Sequence, residues 1–195
     1  MNIVFFEGID GAGKTTLVAN YHEYLTQSGK NSEIVKFPQD DKIRDVCRGY
    51  SNSTAKVLLF FSDMKNWWDK PKEEGKIYLV DRFYTTTWVY QVLLQKYLNP
   101  DKMSSSKSIF TFLKHELFWL NDPSVLSTVW VKASPEVCME RMLIRKSKDD
   151  DEDLSMLTFL DKCYHDIFSK IDHILINGEN EERDMLNNLI ERLAL

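Results

Sequence analysis

Near its N-terminus the chain carries the sequence Gly8-Ile9-Asp10-Gly11-Ala12-Gly13-Lys14-Thr15. It fits the pattern G-x-x-x-x-G-K-[ST], in which glycines let successive backbone N–H groups converge on phosphate oxygens. The apolar run at residues 3–7 precedes it and a helical pattern follows it, which is the context that this motif requires. The sequence therefore predicts a phosphate-binding loop between a strand and a helix whose positive end faces the same anion.

Four further apolar runs follow this loop and are separated by amphipathic stretches. The runs lie at residues 33–37, 77–80, 128–131 and 173–176. Between them apolar residues recur at three- and four-residue spacing, which indicates helices. Right-handed crossovers place such helices on both faces of a parallel sheet. The pattern therefore predicts an α/β fold, a P-loop type three-layer sandwich with a five-stranded parallel sheet flanked by helices.

Composition limits the class of protein. A chain of 195 residues with 43% hydrophobic content can bury one core, so we expect one domain over residues 1–195. We find neither a membrane-spanning run nor a signal-peptide pattern, and we expect a soluble cytoplasmic protein without membrane contact. A net charge of −5 disfavours nucleic acid as a partner. Three widely spaced cysteines predict buried, reduced thiols.

Four residues carry the predicted chemistry. Lys14 supplies a cation for the outer phosphates of ATP, and Thr15 supplies a hydroxyl that can ligate Mg2+. Asp81 and Arg82 follow the third apolar run, at the carboxyl end of a strand, where ligands gather in open α/β sheets. We expect Asp81 to hold the hydration shell of Mg2+ and Arg82 to bind a second, accepting phosphate. A surface ion pair is the alternative interpretation.

Together, these segments resemble the thymidylate kinase family. The matching segments are Phe6 to Thr16, Lys36-Phe37-Pro38, Leu59-Phe60, Asp81-Arg82-Phe83 through Thr86 to Tyr90-Gln91, and the surroundings of Glu140-Arg141 and Arg145. In order, they extend from residue 3 to about residue 170. The resemblance implies ATP-dependent phosphorylation of a deoxynucleoside monophosphate, dTMP to dTDP, with Mg2+ and in a homodimer.

The resemblance also implies roles for individual side chains. The loop residues that would bind ATP are Gly8, Asp10, Gly11, Ala12, Gly13, Lys14, Thr15 and Thr16. Asp10 would also contact the acceptor sugar, while Arg82 would bind its phosphate and Phe60 its base. Thr86, Thr87 and Gln91 would hydrogen-bond the base edge, with Tyr90 against the 2′ position of the sugar. Phe37, Pro38, Arg44 and Met64 would complete the acceptor pocket. Core packing is the alternative interpretation of Phe60 and Tyr90.

The basic group that acts on the transferred phosphoryl must come from outside the loop, because position 12 is Ala. A lid at about residues 141–153 is expected to supply it. Arg145 is the principal candidate and Arg141, one helical turn earlier, is the second. Solvated arginines on a helix face are the alternative. We interpret the acidic run at residues 149–153 as a solvated hinge.

Two departures from the family pattern leave the acceptor base open. Met64 stands where the family usually places an arginine that bonds a thymine carbonyl. Gln39-Asp40-Asp41 follows Pro38 in place of a glycine pair or an arginine, which leaves Arg44 as a substitute cation. A modified pyrimidine such as a 5-substituted dUMP, or a deoxynucleoside, therefore stays an alternative acceptor.

Two other classes of protein fit less well. A regulatory GTPase would carry the guanine-reading sequence N-K-x-D, which is absent from the chain. An inactive P-loop scaffold is disfavoured because Lys14, Thr15, Asp81 and Arg82 are intact.

The adenine base of ATP is expected to bind to the backbone at residues 177–181.

Overall fold

The computed structural model describes residues 2–49, 53–99, 108, 111, 125–145 and 153–193. In these residues a five-stranded parallel sheet has the order β2-β3-β1-β4-β5. Its strands are β1 (Asn2–Glu7), β2 (Ser32–Lys36), β3 (Ile77–Asp81), β4 (Val125–Lys132) and β5 (Ile174–Asn177). The helices are α1 (Lys14–Gln27), α2 (Asp41–Gly49), α3 (Ser53–Asp69), α4 (Tyr84–Trp88), α5 (Leu94–Leu98), α6 (Pro135–Arg145), α7 (Leu154–Phe168) and α8 (Glu182–Leu193). The predicted α/β class and the five parallel strands are confirmed.

Alternate residues of β1 enter different cores, which is why its residues 3–6 are all apolar. Val4 and Phe6 pack with buried residues of α1, α6, α7 and α8 on one face of the sheet. Ile3 and Phe5 pack on the other face with residues of α3. A strand covered on both faces has no solvated side on which polar residues would be favoured. The two clusters give the predicted three layers.

The two outer strands differ from the central ones. All five residues of β3 are buried, as the apolar runs predict. In β2, however, Val35 is 1% exposed and Ile34 is 42% exposed, and in β5 Ile176 is 1% exposed and Leu175 is 41% exposed. The expectation of burial on both faces is therefore wrong for β2 and β5, because they are the sheet edges and alternate between core and solvent.

Strand boundaries shift by a few residues from the predicted runs. Strand β2 ends at Lys36, one residue before Phe37, and β4 extends the run at 128–131 in both directions. Helix α4 continues through a π-helical turn, Val89–Leu93, into α5. No helix among the described residues is long and apolar enough to cross a membrane.

Three tryptophans of the described residues differ in burial. Trp67 is 4% exposed and belongs to the core, while Trp68 and Trp88 are half-buried against it. Trp119 lies outside the described residues. The three cysteines are buried and unpaired, as expected.

Candidate active site

A cleft of about 1240 Å³ lies at the carboxyl ends of β1, β2 and β3. It brings together most of the predicted site residues. Those that line it are Asp10, Gly11, Gly13, Lys14, Thr15, Thr16, Phe37, Pro38, Arg44, Phe60, Met64, Arg82, Thr86, Thr87, Tyr90, Gln91, Arg141 and Arg145. Ala12 and Asp81 lie beneath its surface, with 0% and 1% exposure, and Gly8 is buried at the start of the loop.

The phosphate loop is rigidly seated between β1 and α1. Lys14 is 4% exposed, and its Nζ donates hydrogen bonds of 2.8 Å to the carbonyl oxygens of both Gly8 and Ile9. Gly11 has a φ of +83°, and a Cβ there would lie 2.5 Å from the Cys138 carbonyl oxygen on α6. Glycine is therefore required at this position by both conformation and space. The loop presents backbone N–H groups and an ammonium group to an anion.

A buried carboxylate stands below the loop. The Thr15 hydroxyl donates to Asp81 Oδ2 over 2.7 Å, and Lys36 Nζ lies 3.9 Å from the same oxygen. Asp81 Oδ1 is buried and has no hydrogen-bond partner among the described residues. Mg2+ is usually bound by one or two protein oxygens, with waters and substrate phosphates completing its shell. The hydroxyl and the unsatisfied carboxylate oxygen fit such an ion.

Arg82 connects the loop with the opposite side of the cleft. Its guanidinium forms an ion pair with Asp10 and lies 5.9 Å from the centre of the Tyr90 ring. The Tyr90 hydroxyl in turn accepts a 3.2 Å hydrogen bond from Asp10 N. The backbone of Arg82 has a φ of 73°, a left-handed conformation that is strained for a residue with a side chain. Such strain is typical of functional positions.

Glu7 and Tyr164 are residues that the sequence interpretation missed. Glu7 is 1% exposed, and its carboxylate accepts hydrogen bonds from Phe83 N (3.1 Å) and Thr86 Oγ1 (2.6 Å). Burial raises the pKa of Glu7 to about 7, although Thr86, Lys14 and the Arg82 charge oppose the shift. The signal available in the sequence was an acidic residue that ends an otherwise apolar strand.

The Thr86 hydroxyl is already engaged in hydrogen bonding within the protein. Its hydroxyl donates to Glu7 and lies 2.9 Å from the Tyr164 hydroxyl. Because a hydroxyl has one proton, Thr86 cannot also donate to a base edge in this arrangement. Its contribution to the cleft wall is made by the rest of its surface.

The acceptor side of the cleft is built mainly from α3 and the helical segment after β3. Met64 is 1% exposed and packs in the core cluster next to Phe60. Tyr90 and Gln91 lie in the π-helical turn, a feature often found at functional sites. Gln91 Oε1 is buried without a hydrogen-bond partner. This wall offers an aromatic face and one amide, without a charged group from α3.

The two arginines of α6 have different environments. Arg141 Nη1 donates to the carbonyl oxygens of Gly178 (2.8 Å) and Gly11 (3.3 Å), so it ties the phosphate loop to the segment after β5. Arg145 ends the helix and lines the cleft. Residues 146–152 of the predicted lid lie outside the described residues. Asp153 caps α7 by accepting a 2.8 Å bond from Met156 N.

Charge in the described part of the cleft is strongly positive. Its basic residues are Lys14, Lys36, Arg44, Arg82, Arg141 and Arg145, against the acidic residues Asp10 and Glu182. The chain as a whole has a net charge of −5. A basic cleft in an acidic protein favours a small, highly charged anion over a polyanion that covers the surface.

The parallel sheet, the phosphate loop after β1 and the carboxylate that ends β3 define the P-loop kinase fold. The chain belongs to the thymidylate kinase family, whose family model matches residues 6–189. The resemblance drawn from the motifs is thereby confirmed.

Curated relatives support the same family. A thymidylate kinase from Thermoanaerobacter sp. (strain X514) is 35% identical over 99 residues, which cover 45% of this chain and 49% of the relative. A probable thymidylate kinase from Sulfurisphaera tokodaii is 35% identical over 96 residues, covering 47% and 50%. The chain thus spans about half the length of these relatives. The match to a probable thymidylate kinase from Methanobrevibacter smithii, 27% identical over 185 residues, covers 90% and 85%.

Proposed function

We propose that this protein uses ATP and Mg2+ to phosphorylate dTMP to dTDP. The observation that carries the proposal is one continuous cleft in which Arg82 stands between the phosphate loop and the wall formed by Phe60 and Gln91. Membership of the thymidylate kinase family supports it. On the same basis we propose one domain over residues 1–195, a lid at about 141–153, a homodimer and a cytoplasmic location.

On the donor side, the loop N–H groups and Lys14 bind the ATP phosphates. Thr15 and Asp81 would hold Mg2+, which supplies charge neutralisation across two phosphates. Arg141 keeps the loop closed against the segment after β5 through its bonds to Gly11 and Gly178. Gly178 and Asn180 line the cleft, which supports the proposed adenine seat at residues 177–181.

On the acceptor side, Arg82 binds the phosphate of dTMP through its forked guanidinium. Asp10 accepts a hydrogen bond from the sugar hydroxyl, and Phe60 stacks on the base. Gln91 and Thr87 pair with the polar edge of the base, while Tyr90 packs against the sugar. Thr86 shapes this wall and does not act as a donor, because its proton is used by Glu7.

The transfer itself needs positioning and charge stabilisation. An oxygen of the dTMP phosphate attacks the γ-phosphorus of ATP, and the bond from that phosphorus to the β,γ-bridging oxygen breaks, which releases ADP. Arg145 closes over the oxygens that gain charge and excludes water. Lys14 and Arg82 hold the two anions in line.

A different pyrimidine deoxynucleotide is the second candidate acceptor, and Met64 is the observation that favours it. Its buried thioether offers no cation to a carbonyl at position 4 of the base. Discrimination at that edge then depends on Gln91, whose amide both donates and accepts. A 5-substituted dUMP offers this wall the same polar edge as dTMP does.

A coupled assay of ADP release tests the proposal across dTMP, dUMP, 5-substituted dUMP analogues, dCMP, dGMP and thymidine. We expect Mg2+-dependent turnover of dTMP, with a Lys14→Ala variant as the inactive control. Preference for another pyrimidine nucleotide would select the second candidate. Preference for dGMP or for unphosphorylated thymidine would refute both. Sedimentation of the same preparation tests the homodimer.

A further inference from the structure

A buried hydrogen-bonded chain joins three elements behind the cleft. The Glu7 carboxylate, at the end of β1, accepts from Phe83 N (3.1 Å) and from Thr86 Oγ1 (2.6 Å). The Thr86 hydroxyl then lies 2.9 Å from the Tyr164 hydroxyl on α7. Glu7 is 1% exposed and Tyr164 is 0% exposed. Water therefore does not compete for these bonds, and each one is stronger than it would be at the surface.

These hydrogen bonds involve residues next to those that carry the substrate-binding groups. Glu7 immediately precedes Gly8, and Phe83 immediately follows Arg82. Sheet pairing aligns β1 with β3 as far as Phe6 and Asp81, so Arg82 is the first residue beyond this alignment. Its φ of 73° persists only if the surroundings hold it. The bond from Phe83 N to a buried carboxylate is such a restraint.

We propose that Glu7 is a positioning residue for phosphoryl transfer: its carboxylate fixes the turn that carries Arg82, and through Thr86 it holds Tyr164 and α7 to the same turn. The inference rests on the function proposed above. It adds a connection between the acceptor-binding turn and the helix that follows the predicted lid. Neither Glu7 nor Tyr164 lines the cleft, so both act through other residues.

The charge on Glu7 sets how well this restraint works. The groups that face it are Lys14 from α1, Arg82 after β3, Tyr84 from α4 and Tyr164 from α7. An ionised carboxylate accepts both bonds at full strength, whereas a protonated one carries a proton that competes with the Thr86 proton. With the pKa of Glu7 raised to about 7 by burial, the restraint is complete above that pH and weakens below it.

The first test is Glu7→Gln, which keeps the size of the side chain and removes the charge. At pH 8 we expect kcat/KM for dTMP to fall about tenfold, the size of one lost charged hydrogen bond. The KM for ATP should stay within about twofold, because the donor loop keeps its own contacts. The ratio of wild-type to variant kcat/KM should approach 1 near pH 6, where Glu7 is mostly protonated.

The variants Thr86→Val and Thr86→Ser provide a second, independent test. Valine removes the hydroxyl at nearly constant shape and should reproduce the Glu7→Gln defect, whereas serine should retain most of the activity. The kcat/KM of the double variant Glu7→Gln/Thr86→Val should lie within about twofold of that of either single variant, because the effects of residues that act as one unit are not additive. Tyr164→Phe should give a smaller loss of the same kind.

Matched controls separate a positioning role from general damage. Asp161→Asn removes a half-buried carboxylate from α7 whose pKa is also raised by burial, and Tyr21→Phe removes a buried hydroxyl from α1. Both should keep wild-type kinetics. If Glu7→Gln matched these controls, or if its deficit were the same at pH 6 and pH 8, the inference would be overturned. Absence of dTMP turnover in the wild type would instead refute the proposed function.

Discussion

Glu7 illustrates how one residue can oppose stability while serving the site. Its pKa of about 7 lies above the ordinary value of 4.5, so the folded protein binds this proton more tightly than the unfolded chain does. The contribution of Glu7 to stability is therefore fully present below about pH 4.5 and is lost as the pH rises through 7. Above that pH the fold contains a buried charge whose hydrogen bonds do not fully offset its desolvation.

We predict that Glu7→Gln is more stable than the wild type at pH 8, by up to about 3 kcal/mol. The two proteins should have similar stability at pH 5, where the carboxyl is protonated. Urea unfolding at both pH values measures the difference. A variant that was less stable at pH 8 would contradict the desolvation argument. Higher stability with lower activity is the expected combination at a functional site.

Two substitutions of Arg82 distinguish the function of its side chain from the strain of its backbone. Arg82→Ala and Arg82→Gly both remove the guanidinium, and both should lower kcat/KM for dTMP by at least about 100-fold, as for a lost charge pair with phosphate. Only glycine relieves the left-handed backbone, so Arg82→Gly should be more stable than Arg82→Ala by roughly 1 kcal/mol. Equal stability of the two variants would mean that the positive φ is not strained.

On α6, two arginines one turn apart have different surroundings and should have different phenotypes. Arg145→Ala should lower kcat at least about tenfold with little change in melting temperature, because Arg145 ends its helix at the cleft. Arg141→Ala should raise the KM for ATP and lower the melting temperature, because it removes the bonds to Gly11 and Gly178. If Arg145→Ala kept turnover within about threefold, or 0.7 kcal/mol, its assignment would be wrong.

Strands and helices could be predicted from the sequence where the local pattern of apolar residues agrees with the burial that the fold gives them. Apolar runs located every strand, since a parallel strand buried on both faces must be apolar. The shift of β2 to Ser32–Lys36 and the alternation in β5 were not predictable, because edge position depends on strand order. The π-helical turn at Val89–Leu93 also left no sequence signal. It arises from a hydrogen-bond shift that no residue type specifies.

Within the site, motifs predicted the groups that would bind ligand, whereas the fold was needed to find the groups that contact one another. Lys14, Asp81 and Arg82 stand in recognisable patterns. Glu7 and Tyr164 are separated by more than 150 residues along the chain, and only the packing of α7 against the sheet brings them together. The donation of the Thr86 proton to Glu7 likewise joins two residues that lie 79 positions apart.

At the scale of the whole molecule, charge is unevenly distributed. The described cleft carries six basic and two acidic side chains in a chain of net charge −5. We predict that the KM for dTMP rises by about three- to tenfold between 50 and 500 mM KCl, because the Debye length falls from about 13 Å to about 4 Å. The melting temperature without nucleotide is the control and should change little. A salt-independent KM would show that the cleft charges do not act on the acceptor.

The ion pair between Arg82 and Asp10 also sets a condition for entry. Under the proposed function, the phosphate of an incoming nucleotide must replace the Asp10 carboxylate at the Arg82 guanidinium. A phosphate dianion can displace the Asp10 carboxylate from Arg82 because it carries two negative charges and the carboxylate carries one. An uncharged nucleoside has no anionic group that could replace Asp10 at Arg82. The ion pair would then stay intact, and Asp10 could not turn to the sugar of the nucleoside. Under the proposed function, we therefore expect this ion pair to favour a phosphate-bearing substrate over an uncharged nucleoside, whatever the base.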